Sequence, residues 1–270
     1  MVAGSDSGGG AGIQADIKSI MAQGAYAGTA ISALTAQNTL GVQDILDVPP
    51  QFVAAQMTSV LSDIGADVMK TGMLATRAVI EAVAEARATL APKLPMLVDP
   101  VMVATSGDRL LQDDAMDALQ SLLVNQALLV TPNLPEASLL TRRDVDSIDD
   151  MKRAADTLME AGAHAALIKG GHGGDKVVTD LLALQSGFEI FEHERLDTKN
   201  THGSFHGTGC TLASALSGQI ANLMVADTPQ NAAKPSDAML KAATQAALDY
   251  VHRAIKSAPD IGGGSGPLGH

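Results

Sequence analysis

The chain has 270 residues, 46% of them apolar, and carries 30 acidic against 18 basic side chains for a formal net charge of -12. The apolar share excludes a disordered chain, and the acidic balance excludes nucleic acid or an anionic membrane as the main partner. Cys210 is the single cysteine, which excludes an internal disulfide. Because no signal-peptide pattern or membrane-spanning apolar run is present, we expect a cytosolic protein.

Helix and strand patterns alternate along the first two thirds of the chain. Ile13, Ile17 and Ile20 recur at helical spacing and precede a small-residue and β-branched run at 28–36 that is typical of a buried strand. The alternation continues with helices predicted at 52–61, 76–90, 114–124 and from Ser147, and with strands at 66–70, 96–99, 127–131 and 165–169. It predicts an α/β fold with a mostly parallel central sheet and helices on both faces of that sheet.

The last third of the chain has a different pattern. Runs at 177–184 and 188–193 flank a Gln-Ser-Gly turn, which predicts a small antiparallel hairpin at the edge of the sheet. Helices at 208–223 and 236–256, joined by a polar loop with proline, complete the prediction. No linker divides the chain, so residues 1–270 are expected to form a single domain. The glycine-rich tail at 262–266 is either flexible or a cover for a site.

Polar side chains stand where three of the predicted parallel strands end. Asp99 follows one strand, Asn133 and Glu136 follow the next, and Lys169 ends the third. Ligands of open α/β sheets bind beyond the carboxyl ends of the strands, so we expect these side chains to converge. Two carboxylates suit a hydrated divalent cation, and a lysine suits a phosphate. The alternative is that the acids only cap helices and that Lys169 snorkels at the edge.

A second feature is the run Gly207-Thr208-Gly209-Cys210-Thr211, which stands directly before a predicted helix. Unpaired N–H groups and the macrodipole at a helix start favour an anion, so this run predicts an anion hole. The same dipole should lower the pKa of the Cys210 thiol and make it a base or nucleophile. The alternative is a buried structural cysteine. A zinc site of His202, His206 and Cys210 is disfavoured, because glycines interrupt the continuous helix it would need.

The third feature is the glycine-rich stretch at 8–12, which opens the first helix. It resembles a dinucleotide-binding fingerprint only loosely, because the acid expected about 20 residues later is missing. The glycines indicate that a ligand or a neighbouring backbone approaches closely here.

These features occur in order in one known family. The segments that carry the resemblance are Ala3-Gly4-Ser5-Asp6-Ser7-Gly8-Gly9-Gly10-Ala11-Gly12-Ile13-Gln14-Ala15-Asp16, Ala36-Gln37-Asn38-Thr39, Lys70-Thr71-Gly72-Met73-Leu74, Asn133-Leu134-Pro135-Glu136, Lys169-Gly170-Gly171-His172 and Gly207-Thr208-Gly209-Cys210-Thr211. Together they closely resemble the hydroxymethylpyrimidine/phosphomethylpyrimidine kinases of thiamine biosynthesis, in the ribokinase-like superfamily. The match covers nearly the whole chain.

The resemblance implies two successive phosphorylations with ATP and Mg²⁺, first of 4-amino-5-hydroxymethyl-2-methylpyrimidine and then of its monophosphate. It also implies a homodimer. The nearest alternative is a pyridoxal or pyridoxine kinase of the same superfamily, and a further one is a catalytically impaired homologue that only binds ligands.

The resemblance also assigns roles to individual residues. Gln37 would bind the aminopyrimidine edge in a substrate pocket with Gly4, Asp16, Met73, Val101 and His206. Gly207, Thr208 and Gly209 would form the anion hole, Cys210 would be the base, and Lys169 would stabilise the transferring charge. Asn133, Glu136, Lys169 and Thr208 would contact the nucleotide, and Asp99 and Glu136 would hold the metal.

Two departures from the family pattern stand out. The family has a longer apolar strand before Ala3, so Met1-Val2-Ala3 is an abbreviated first strand. The family's Asn-Thr-His-Gly-Thr-Gly-Cys is interrupted here by an apparent insertion over Gly203–His206. Both His202 and His206 therefore compete for the family's histidine position, and adjacency to Gly207 favours His206.

Overall fold

A computed structural model of the chain describes residues 1–103, 110–171, 176–196, 206–226 and 234–270. His172, His202, the inserted residues before His206 and most of the predicted loop at 227–235 lie outside these ranges. The strands are β1 (Val2–Asp6), β2 (Ala30–Asn38), β3 (Gly41–Asp47), β4 (Met69–Thr71), β5 (Met96–Val98), β6 (Leu129–Val130), β7 (Ala165–Ile168), β8 (Val177–Leu184) and β9 (Gly187–Glu194).

Within the described ranges these nine strands form one sheet in the order β3-β2-β1-β4-β5-β6-β7-β8-β9. Six adjacent strands of the sheet are parallel, namely β2, β1, β4, β5, β6 and β7. The strands β3, β8 and β9 each pair antiparallel with their neighbours. The predicted mostly parallel sheet and the hairpin at its edge are confirmed. The first strand also runs further than its three opening residues suggest, through Asp6.

Helices cover both faces of the sheet, as predicted. They are α1 (Gly12–Ala22), α2 (Pro50–Asp63), α3 (Arg77–Leu90), the short α4 (Met116–Ala118), α5 (Leu134–Thr141), α6 (Ile148–Glu160), α7 (Thr208–Ala226) and α8 (Asp237–Lys256). Successive residues of β5 point to opposite faces, so Val98 belongs to the core that includes residues of α2, α3 and α6, and Leu97 belongs to the core that includes residues of α7 and α8. The scarcity of aromatic residues is met by Ala, Val, Leu and Ile throughout both cores.

Two elements differ from the sequence prediction. The strand β3 was not expected, because all its side chains are exposed or half-exposed and it lacks a buried face that would mark it. The predicted helix at 114–124 is irregular: 3-10 turns flank α4 on the N-terminal side and close the segment at Val124–Gln126, and a π turn lies between. This irregular path keeps Leu119, Leu123 and Val124 buried.

The C-terminal tail packs against the fold. Ser265 N donates to Thr39 O at the β2–β3 turn, and His206 N donates to Gly266 O. Leu268 is buried, and Gly269 N donates to Ala254 O of α8. Of the two interpretations left open by the glycine-rich composition, the structure shows the covering one.

Candidate active site

Lys169 and two carboxylates meet at the carboxyl edge of β5, β6 and β7. Lys169 Nζ lies 2.9 Å from Asp99 Oδ1 and 4.0 Å from Glu136 Oε2. All three side chains are largely buried, and Thr131 Oγ1 donates to Asp99 Oδ1 at 3.2 Å. Burial alone would lower the pKa of Lys169, but the carboxylates of Asp99 and Glu136 outweigh it and raise that pKa. The structure therefore brings together a buried cation and its acids.

Glu136 also takes part in a helix cap. Asn133 Oδ1 accepts a hydrogen bond from Glu136 N, and Glu136 Oε2 accepts one from Asn133 N, each at 2.9 Å. This capping box begins α5, so the alternative that Glu136 caps a helix is also true. Burial raises the pKa of Glu136 to about 7, against the opposing effect of the Lys169 ammonium. Near neutral pH its carboxyl is therefore poised between its two protonation states.

The start of α7 faces the same cation. A Cβ on Gly209 would lie 3.2 Å from Lys169 Nζ and 3.9 Å from Asp99 Oδ2. Gly207 has a φ of +83°, and a Cβ there would lie 1.8 Å from Gly10 O, so the glycine stretch at 8–12 packs on the start of α7. Helical hydrogen bonding begins with Thr211 N donating to Gly207 O. The amides before it, Thr208 included, form the first turn beside Lys169.

Cys210 follows in this turn and is half-buried. Burial raises the pKa of its thiol to about 11, and the nearby Lys70 ammonium opposes this only in part. The predicted lowering of the pKa by the helix start is wrong, because desolvation of the thiolate is the larger effect. The thiol is therefore protonated at neutral pH.

Asp16 lies beside this turn and is closed off from solvent. Its carboxylate is fully buried and pairs with Lys70 Nζ at 2.9 and 3.1 Å, and Ser214 Oγ donates to it at 2.6 Å. Lys70 and Ser214 fix the position of this carboxylate, and its role in the substrate pocket stays a prediction. Sequence reasoning did not single out Lys70. Its signal is a lysine inside an apolar strand, where a buried charge requires a partner.

The other residues expected in the pocket form two contacting groups. A Cβ on Gly4 would lie 3.1 Å from Met73 Sδ, so these two residues are in contact. Val101 packs against the small apolar cluster of Ala33, Met73 and Ala75. Gln37, at the end of β2, lies with its side-chain nitrogen 3.1 Å from His206 Nε2. Gly4, Met73 and Val101 thus form one apolar group, and the Gln37 amide lies against His206, next to the start of α7.

Asp6 is a further residue that sequence reasoning missed. Its side chain accepts hydrogen bonds from the amides of Gly8, Gly10 and Ala11 and lies 2.9 Å from His206 Nε2. Burial alone would raise the pKa of Asp6, but the hydrogen bonds from His206 and these amides hold it below its ordinary value. An aspartate directly before a glycine run is the available signal, since such a side chain binds the turn's own N–H groups.

The topology of the sheet and the buried lysine beside a glycine-rich helix start define a ribokinase-like fold of the kind found in small-molecule kinases. The chain matches the sequence model of the phosphomethylpyrimidine kinase family over residues 6–269 and belongs to this family. It is 43% identical over 272 residues to the hydroxymethylpyrimidine/phosphomethylpyrimidine kinase of Rhizobium meliloti, covering 100% of this chain and 95% of that protein.

Solved structures are similar as well. The phosphomethylpyrimidine kinase of Clostridium difficile superposes with a TM-score of 0.76 at 33% identity, covering 94% of this chain and 97% of that one. The pyridoxal kinase of Staphylococcus aureus, in complex with AMP-PCP and pyridoxal, superposes with a TM-score of 0.83 at 30% identity, covering 100% of this chain and 91% of that one.

Proposed function

We propose that the protein, as a single domain spanning residues 1–270, phosphorylates 4-amino-5-hydroxymethyl-2-methylpyrimidine with ATP and then phosphorylates the monophosphate, in thiamine biosynthesis. The observation that carries the proposal is the buried Lys169–Asp99 pair at 2.9 Å, set against Gly209 at the start of α7. Membership of the phosphomethylpyrimidine kinase family supports the choice of substrate.

The chain's residues perform this reaction mainly by placing charge. Phosphoryl transfer requires in-line positioning and compensation of charge on the phosphoryl oxygens. Lys169 stays cationic because Asp99 and Glu136 raise its pKa, so its ammonium meets the transferred group. The amides of Gly207, Thr208 and Gly209 bind the same oxygens. Asn133, at the α5 cap, contacts the nucleotide together with Glu136, Thr208 and Lys169.

Cys210 accepts the proton of the substrate hydroxyl. In a loose transition state this proton is lost late, so a modest base such as the minor thiolate form is adequate. The Lys70 ammonium favours that thiolate, although burial keeps the thiol pKa at about 11. Met73, Gly4 and Val101 form the apolar wall of the pyrimidine pocket, and Gln37 reads its polar edge.

Asp99 and Glu136 fit a hydrated Mg²⁺. Magnesium retains several waters and takes only one or two carboxylates besides the phosphates of a nucleotide. Among the residues that the structure describes, no group of three or more His, Cys, Asp or Glu is arranged around one point, so water and phosphate would supply the remaining ligands. Held by Asp99 and Glu136 together with ATP, such an ion would neutralise charge on the phosphate oxygens.

We also propose a cytoplasmic homodimer. Leu34, Ile45 and Leu46 expose apolar surface on β2 and β3, the part of the sheet that a second copy would cover. The helix α7 is long and apolar enough to cross a membrane, but half of it is buried, and it packs on α1 and α8 as the core helices of globular proteins do. Light scattering coupled to gel filtration tests the dimer.

A steady-state kinase assay tests the proposed function. With ATP and Mg²⁺, the purified protein should turn over the aminopyrimidine and its monophosphate at higher kcat/KM than pyridoxal or pyridoxine. The similarity to the Staphylococcus aureus pyridoxal kinase makes pyridoxal the competing substrate. A higher kcat/KM for pyridoxal would reassign the protein, and binding of both ligands without turnover would identify an impaired homologue.

A further inference from the structure

Three polar side chains from distant parts of the chain meet at the edge of the pyrimidine pocket. His206 Nε2 lies 2.9 Å from Asp6 Oδ2 and 3.1 Å from Gln37 Nε2. The other atom of the amide group, Gln37 Oε1, lies 2.9 Å from Thr35 Oγ1. The hydrogens available in these contacts determine the orientation of the amide.

The contact between Asp6 and His206 fixes the position of one hydrogen. Asp6 Oδ2 already accepts hydrogen bonds from the amides of Gly10 and Ala11, and the pKa of Asp6 lies below its ordinary value, so this carboxylate acts only as an acceptor. The hydrogen between Asp6 and His206 must therefore be carried by His206 Nε2. A ring nitrogen that carries a hydrogen repels an amide N–H and attracts an amide oxygen.

The Thr35 hydroxyl sets the second constraint on the Gln37 amide. Its hydroxyl has one hydrogen, and Oγ1 lies 3.0 Å from Ser5 O, a carbonyl that can only accept. With that hydrogen donated to Ser5, Thr35 Oγ1 can only accept from Gln37. The contacts with His206 and with Thr35 favour the same orientation, in which Gln37 Oε1 lies toward His206 and Nε2 toward Thr35. This orientation is reached by rotating the terminal amide by half a turn, so that its oxygen and nitrogen exchange places.

The histidine that imposes this choice cannot swing away. A Cβ on Gly10 would lie 2.6 Å from His206 Cδ2 and 3.2 Å from Pro267 Cβ, so the ring is held between the glycine stretch and the C-terminal tail. The backbone of His206 is fixed as well, because its N–H donates to Gly266 O.

We propose that His206, held by Asp6, is a positioning residue that locks the Gln37 amide in one orientation and so makes the pocket select a 4-aminopyrimidine over its 4-oxo counterpart. This inference rests on the proposed function. A 4-aminopyrimidine presents a donor beside a ring acceptor, and a 4-oxopyrimidine presents the reverse order. A free amide can turn over to read either edge, whereas a locked amide reads only one.

The experiment compares kcat/KM for 5-hydroxymethyl-2-methylpyrimidine carrying either a 4-amino or a 4-oxo group. The wild-type protein should prefer the amino compound strongly. In His206→Leu the ratio should fall by about tenfold or more, because no ring N–H then disfavours the orientation that places Gln37 Nε2 toward residue 206. His206→Gln, whose side chain keeps a donor, should retain more of the preference. Thr35→Val removes the other contact and should lower the ratio independently, which keeps the test valid if His206→Leu fails to fold.

The matched control is His193→Leu, because His193 also faces a carboxylate, that of Asp180, but lies on β9 at the far edge of the sheet. Its ratio should equal that of the wild type. If His206→Leu and Thr35→Val lower both substrates equally, their role is structural and the inference is overturned. If the wild-type protein does not phosphorylate the aminopyrimidine, the proposed function itself has failed.

Discussion

Lys70 and Asp16 form an ion pair sealed from solvent, with Lys70 Nζ 2.9 and 3.1 Å from the two carboxylate oxygens of Asp16. Burial alone would lower the pKa of Lys70, but the Asp16 charge outweighs it and raises that pKa. Ser214, one helical turn after Cys210, donates to the same carboxylate. The pair therefore ties α1, β4 and α7 together directly below the candidate catalytic turn.

Removal of one partner should strongly destabilise the fold. We expect Lys70→Met to lower the free energy of unfolding by about 3 to 5 kcal/mol, because it leaves the Asp16 charge buried without a partner. The double variant Lys70→Met/Asp16→Leu should regain most of this loss. Urea unfolding measures both. The control is Arg77→Met, which removes an exposed pair with Glu81 and should cost at most about 1 kcal/mol. Equal losses in the free energy of unfolding for Lys70→Met and Arg77→Met would show that the buried ion pair contributes no more to stability than the exposed one.

The role of Cys210 as the general base is tested by replacing its thiol with other groups. Cys210→Ser should bind both ligands but lose roughly 100-fold or more in kcat, within the range of general base catalysis. Because the thiol pKa is about 11, the wild-type kcat should rise with pH across the alkaline range as thiolate forms. Cys210→Asp carries an acid whose ordinary pKa lies far below that of a thiol, so it should restore part of the rate with a pH profile that rises at lower pH than that of the wild type. A wild-type rate in Cys210→Ser would make Cys210 a packing residue.

The roles of Asp99 and Glu136 are tested by measuring the Mg²⁺ concentration that the activity requires. Asp99→Asn and Glu136→Gln should each raise the Mg²⁺ concentration that gives half-maximal activity. Because the pKa of Glu136 is raised to about 7, its carboxylate gains a proton as the pH falls below neutrality, and the wild-type requirement should then increase. In Glu136→Gln this dependence should disappear. Mg²⁺ titrations at several pH values measure it, and curves identical to the wild type would leave both acids with structural roles only.

Gln37→Ala should weaken pyrimidine binding by roughly 1 to 3 kcal/mol, because it leaves the polar edge of the substrate unpaired. Affinity for ATP should not change, since Gln37 lies at the end of β2 and not beside Lys169. Calorimetric titration with each ligand separates the two effects. Unchanged pyrimidine affinity would remove Gln37 from the site.

Gly209 provides a test of space at the start of α7. Gly209→Ala should reduce kcat, because the new Cβ would stand 3.2 Å from Lys169 Nζ and displace the ammonium. Gly171→Ala is the matched control, since nothing lies within 4 Å of a Cβ there. The protein should fold in both cases, and kinase assays compare them. Equal activities would mean that Lys169 adjusts freely and that its exact position does not limit the reaction.

Much of the fold follows from local pattern. The hairpin of β8 and β9 was predictable because a Gln-Ser-Gly turn separates two runs of strand formers. The cap of α6 was predictable from Ser147 and Asp150, and both of its hydrogen bonds are present. The strand β3 was not, because pairing with β2 defines it and its exposed side chains carry no hydrophobic alternation.

The candidate site divides in the same way. Residues at strand ends, such as Asp99 and Lys169, could be grouped from sequence because parallel strands end at one edge. The partner of Asp16 could not, because Lys70 is 54 residues away and only the packed fold brings them together. The pKa of Cys210 could not be predicted either, since it depends on how completely the surrounding chain excludes water.

The docked tail has a consequence for local opening of the fold. Residues 264–268 follow α8 in the chain, yet they hold His206 and the β2–β3 turn in place. Because the tail lies across both His206 and the β2–β3 turn, an opening fluctuation that releases it loosens these two parts of the site at the same time. The site should therefore open by the undocking of a short extended segment, without the unfolding of a helix or strand.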